Sequence, residues 1–240
     1  MRPAPRRMPT RTLTNTIMSE SLAGVLTLAA IGVGSLHTIA PDHWVPFAAL
    51  ARAQGWSRAR TVRITALCGF GHVTVSVVLG VLALFFGLEV LRFVGERMEA
   101  VAGVLLIAFG AVYALYGLRH ASAHLHGHFH GHSHGHHHAH YDHDHETHRM
   151  TPWALFLLFS ADPCVAVMPI LFAAAPLGIS RTAVVVTAYE LATIATMVLL
   201  VVPAAAAARQ VRGRWMTRYS DACAGGVIAT VGIIVATLGW

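Results

Sequence analysis

VRITALCGFGHVTVSVVLGVLALFFGL, residues Val62–Leu88, decides the fold class. These 27 residues carry one charge, Arg63, close to one end. As a helix they would extend about 40 Å, enough to cross a hydrocarbon core of roughly 30 Å. The run is continuously apolar and does not alternate, which argues against a strand. In lipid the backbone must satisfy its own hydrogen bonds, and a helix does so within one segment. Working outward, five comparable stretches appear at Ser19–Ile39, Met98–Leu118, Thr151–Ala175, Thr182–Pro203 and Ser220–Trp240. Only 12% of residues are Asp, Glu, Lys or Arg, about half the share in a soluble domain. The chain therefore reads as an all-α integral membrane protein with six transmembrane helices.

Between the third and fourth stretches lies His120–His148, which holds 14 of the 17 histidines. It has no apolar face and is low in complexity, so it is expected to be disordered without metal. The organisation expected is an N-terminal tail (1–18), a three-helix half (19–118), a histidine-rich loop (119–150) and a second three-helix half (151–240). The halves share a pattern. Ala40-Pro41-Asp42-His43 is followed by Pro46, and Ala161-Asp162-Pro163-Cys164 by Pro169. With three spans in each, the second half enters the membrane in the opposite sense, as in inverted-repeat transporters.

All 17 basic side chains are arginine. A pI near 9.9 would suit nucleic acid, but these arginines sit in short clusters between apolar runs, as positive-inside loops do. No nucleic-acid partner is expected; the expected surroundings are lipid, and a homo-oligomer is compatible with the sequence. Ten arginines lie on the side of the histidine loop, against seven on the other side, or three if translation starts at Met18. This places the loop in the cytoplasm and the N-terminus outside, in the cell's inner (plasma) membrane. The basic N-terminus runs into polar residues that look functional, so no signal cleavage is expected.

Chemistry concentrates in four places. His37-Thr-Ile-Ala-Pro41-Asp42-His43 puts two imidazoles and a carboxylate at the end of a span, where ionisable groups are costly and by default functional. On an unbroken helix His37 and His43 would stand about 240° apart; Pro41 breaks the ladder and lets the chain curl. Imidazole and carboxylate together suit a divalent transition metal. His72 in Gly69-Phe70-Gly71-His72 is either a further ligand or an interhelical contact, with small neighbours that allow close approach. Asp162 and Cys164 flank Pro163 in the fourth span, and Cys164 is a soft ligand if a metal deprotonates it. Glu190 is an isolated carboxylate in the fifth span. Together His37, Asp42, His43, His72, Asp162, Cys164 and Glu190 form the candidate metal set. Cys68 and Cys223 read as small buried apolar residues. There is no P-loop, G-x-S-x-G or H-E-x-x-H, so an enzyme is not expected, nor a permanently bound cofactor.

His37-x4-Asp42-His43 resembles the H-x4-D-H signature of nickel/cobalt transporters, and Gly71-His72-Val73-Thr74-Val75 is similar to that family's second motif. A histidine-rich loop between two groups of three helices, with Asp162-Pro163-Cys164 in the fourth, resembles its efflux branch. The resemblance implies alternating access around a midplane His/Asp site, with Ni2+ or Co2+ as the transported substrate and export as the direction. Eight-helix uptake members are longer, and permeases of other substrates share the architecture. A rival from another class is a membrane thiol–disulfide electron carrier using Cys68 and Cys164; a third reading is a metal store or sensor without transport. Reporter fusions test the orientation: one inserted in the histidine loop should report cytoplasm and one at the C-terminus the exterior, and the reverse result would overturn the arginine argument.

Overall fold

A computed structural model describes residues 10–86, 88–126, 150–161, 164–211, 213, 215 and 218–238. The regular elements among them are all helical: α1 (Thr10–His37), α2 (Pro41–Ala53), α3 (Arg58–Phe86), α4 (Leu88–His126), α5 (Met150–Ala161), α6 (Val167–Ala174), α7 (Ile179–Gln210) and α8 (Ser220–Leu238). Among the described residues, five helices are long and apolar enough to cross a membrane, at Met18–His37, Arg58–Phe86, Gly103–Ala121, Ile179–Gln210 and Ser220–Thr237. Their outer faces carry large apolar side chains such as Leu28, Leu36, Phe85, Val112 and Leu199. The imidazoles of His43 and His72 are buried instead. Apolar outside and polar inside is the pattern of a bundle solvated by lipid.

The fourth apolar stretch departs from expectation. It is not one span but two short helices, α5 and α6. Pro163 has no amide hydrogen and cannot continue a helix. Asp162 itself, like residues 127–149 of the histidine loop, lies outside the described residues.

A second departure lies between α1 and α3. The sequence reading treats this stretch as a loop; it forms α2, with Pro41 in the first turn and Phe47, Leu50 and Ala51 fully buried. Proline is tolerated there because the first amides of a helix have no intrahelical acceptor. At 13 residues α2 is about 20 Å long, too short to span. It packs against α7 and α8. Arg52, in its last turn, donates to Ala208 O at 2.6 Å, Val211 O at 3.1 Å and Ser220 Oγ at 3.3 Å. One guanidinium thus satisfies carbonyls that the end of α7 leaves without intrahelical donors. Beside it, Tyr113 donates to Asp221 Oδ1 at 2.9 Å, and Arg209 donates to the Trp56 carbonyl.

The packing pairs off. As α1 lies on α7, α5 lies on α3; as α2 lies on α7, α6 lies on α3; α3 meets α7, and α4 meets α8. The α4–α8 seam is the closest. Gly103, Gly110 and Gly117 recur every seven residues on α4 and face Ala236, Ala229 and Ala222, while Gly225 and Gly232 return the contact from α8. A Cβ at Gly110 would collide with the backbone of Ala229, which cannot rotate away. Small residues of this kind let membrane helices gain dispersion contacts where lipid offers no hydrophobic drive. Gly110→Leu should therefore lower the melting temperature in detergent, by overpacking of at least about 1–3 kcal/mol. Gly226→Ala, where nothing lies within 4 Å, should leave it unchanged.

Candidate metal centre

Each of the two helix breaks delivers one part of a polar centre. α1 stops at His37, and the Ala40 amide turns back to the His37 carbonyl at 3.2 Å. The next helix then starts with Pro41, Asp42 and His43. Pro41 is four residues beyond His37 and has no N–H to give that carbonyl, so the turn is imposed by covalent structure. Instead of standing on different faces of one helix, the His37 and His43 rings meet edge to face, with centroids 4.4 Å apart. His72, from the middle of α3, meets His43 with centroids 5.3 Å apart.

One nitrogen from each of His37, His43 and His72 lies within 4.8 Å of the others. Hydrogen bonds orient two of the rings. His72 Nδ1 is 3.1 Å from the Phe159 carbonyl; a carbonyl only accepts, so Nδ1 carries a proton, and in the neutral ring the lone pair is on Nε2. His43 Nδ1 donates to Asp42 Oδ1 at 2.9 Å. The Nε2 atoms of His37, His43 and His72 are all buried without a hydrogen-bond partner. This is the carboxylate–histidine and carbonyl–histidine arrangement that orients imidazoles toward a metal. Three imidazole nitrogens at this separation can, with their rings neutral, hold one divalent cation and leave further coordination positions open. Phe159, whose ring centroid is 6.4 Å from that of His43 and 6.2 Å from that of His72, walls the centre.

The sequence-derived set divides accordingly. His37, His43 and His72 converge. Asp42 stands behind His43 as its orienting acceptor. Cys164 lies elsewhere: its Sγ is 2.8 Å from Tyr189 Oη, and its backbone N–H donates to Ser76 Oγ at 2.6 Å. Glu190 is half-buried on α7 with its carboxylate bonded to Thr74, apart from the histidines. Two contributors have no obvious signature. Ser160 Oγ is buried without a partner, and a Cβ on Gly71 would lie 2.5 Å from it, so Gly71 is what admits α5 beside His72. The Phe159 carbonyl was legible in principle: residue 163 is a proline, so the amide that would have bonded Phe159 O does not exist.

Residues 44–234, about four-fifths of the chain, match the family described as Cytochrome C biogenesis protein transmembrane region. The chain belongs to this family. It is accordingly a multi-pass membrane protein, as its apolar helices also require. No curated protein and no solved structure matches it significantly. The match corrects the resemblance to nickel/cobalt transporters: the family is a different one. That resemblance rested on a few short stretches, and its most specific motif, His37–His43, ends immediately before the matched span.

If Asp42 orients His43, Asp42→Ala should weaken divalent-metal binding about 10- to 100-fold. Titration of the purified protein with zinc, with the 127–149 tract deleted to remove competing histidines, would measure it; unchanged affinity would remove Asp42 from the centre.

Proposed function

We propose that the chain is a transmembrane carrier whose working centre is the three-histidine site, with a divalent transition-metal cation as its cargo. The observation that carries this reading is the convergence of three imidazoles, each with a buried Nε2 that has no partner. Imidazole ligands favour late first-row ions over magnesium or calcium; they do not by themselves select among those ions. The exchange of packing partners between the halves, α1 on α7 with α5 on α3 and α2 on α7 with α6 on α3, supports an inverted repeat. A site at the repeat interface, beside broken helices, suits alternating access. The cytoplasmic placement of the histidine tract, from the arginine distribution, favours export.

A second reading, a membrane thiol–disulfide electron carrier, has the family on its side: membership among cytochrome c biogenesis transmembrane regions fits it better than metal transport. Its cysteines would be Cys68 and Cys164. Ser76, which accepts the Cys164 amide, lies eight residues beyond Cys68 on α3, about 12 Å along the helix. A disulfide needs Cα atoms within about 7 Å; in this conformation both thiols are free and Cys164 Sγ meets Tyr189 Oη instead, so pairing them calls for a rearrangement at the α5–α6 break.

One pair of variants separates the readings. In proteoliposomes loaded with a metal-sensitive dye, zinc, manganese, cobalt and nickel are tested in turn. Cation flux should fall at least tenfold in His72→Ala and persist in Cys68→Ser/Cys164→Ser. Transmembrane reduction of an enclosed disulfide reporter that is lost in the double serine variant and kept in His72→Ala would instead establish the electron carrier.

A further inference from the structure

Where α3 begins and α7 ends, the surface carries a groove of about 320 Å³ lined by Arg58, Thr61, Val202, Pro203, Ala206 and Arg209. Its level in the bundle is fixed by the spans. Arg58 opens the span Arg58–Phe86, and Arg209 stands one residue before the end of Ile179–Gln210. The groove therefore lies at the membrane–water interface, on the arginine-rich side.

The electrostatics of this corner are unbalanced. The first turns of α3 carry Arg58, Arg60 and Arg63, and the first turn has no acidic residue. A helix N-terminus is itself a positive pole, so cations there are unfavourable. Partners already visible do not neutralise them. Arg60 stacks over the Trp56 ring at 5.5 Å, Arg63 Nε donates to Ala59 O at 3.4 Å, and Arg209 donates to Trp56 O; none of these is a carboxylate. No acid is among the residues lining the groove. Arg58 makes no hydrogen bond among the described residues. Two guanidiniums thus face one cavity with positive potential and spare donors, a geometry that matches a phosphate.

The remaining wall says what the phosphate is attached to. Pro203 and Ala206 are exposed on the lipid-facing side of α7, and Val202 is half-buried beside them. They continue the groove from the arginines along the apolar surface, where an acyl chain would lie. A soluble phosphate has no use for that wall. We propose that this groove binds an anionic phospholipid, with its phosphate between Arg58 and Arg209 and one acyl chain along Val202, Pro203 and Ala206. Anionic lipids concentrate in the cytoplasmic leaflet, the side on which the arginine distribution places this end.

The test is native mass spectrometry of the purified full chain. It is equilibrated in mixed micelles holding phosphatidylglycerol and phosphatidylcholine with matched acyl chains. Wild type should retain phosphatidylglycerol in preference to phosphatidylcholine. Arg58→Gln should lower that preference about fivefold, as should Arg209→Gln, while Arg58→Lys should keep most of it. Arg63→Gln, near the same helix end but outside the groove, should behave as wild type. Equal retention of the two lipids by wild type would overturn the proposal, as would an equal loss in Arg63→Gln, which would mean diffuse surface charge. Displacement of the lipid by millimolar inorganic phosphate would reassign the site to a soluble phosphate species. Arg209 also holds the Trp56 carbonyl, so Arg209→Gln could unfold; melting temperatures identify that case, and Arg58→Gln then decides alone.

Discussion

A proline gives its backbone no hydrogen to donate, and in lipid no water replaces it. Pro41 denies a donor to the carbonyl of His37, and Pro163 denies one to the carbonyl of Phe159. In a soluble protein such carbonyls would turn to solvent. Here each must be answered by protein. The first is answered by the Ala40 amide, which reverses the chain and brings Asp42 and His43 back over His37. The second is answered by His72 Nδ1, which pins a ring of α3 to the end of α5. The polar centre is in this sense a consequence of two missing hydrogens. Remove either proline and the adjoining helix is free to continue, carrying its contribution to the centre onto another face.

The centre also carries a cost that points to its use. A buried nitrogen without a hydrogen bond costs about 1–3 kcal/mol, and each of the three converging imidazoles carries one. Packing alone would favour apolar side chains at these positions, as at neighbouring Phe47 and Val73. A divalent cation bound there would accept all three lone pairs at once and remove the penalty. Asp42, which orients His43, would also supply negative charge near such a cation in a low-dielectric interior, where charge counts for more.

How much of this was legible follows from the range of each signal. The apolar spans are local, so Val62–Leu88 and its counterparts announce helices without reference to partners. The turn at Pro41 is equally local, and with it the meeting of His37 and His43. His72 is different: taken alone, a histidine among glycines reads equally as ligand or as contact, and only the placement of α3 beside α2 decides. The helix α2 was obscured because its composition, PDHWVPFAALARA, is too short for a span and carries two prolines. What it buries becomes clear only against α7 and α8. Asp42 and Cys164 show the limit of reading residue types. Both are plausible ligands in sequence, yet one stands behind a histidine and the other bonds Tyr189 across the bundle. The family was not legible from short motifs, because a break with His and Asp around a proline satisfies a seven-residue pattern whatever the remaining spans resemble.

Family membership and the polar centre constrain different parts of the molecule. The matched residues, 44–234, take in most of α2, all of α3 and the helices that surround them. They describe a scaffold with a broken fourth segment and a cysteine just after the break. His37, Asp42 and His43 stand before that stretch. The scaffold contributes His72 and the Phe159 carbonyl, and the residues ahead of the match complete the set of converging nitrogens. Cys164, where thiol chemistry would reside on such a scaffold, is here tied to Tyr189 and Ser76, about two helical turns from the level of Cys68. The groups in this conformation that lack partners and face one another are imidazoles, not thiols. A scaffold shared with a family does not fix the chemistry performed on it, and the side chains brought together at the α1–α2 break are three imidazoles.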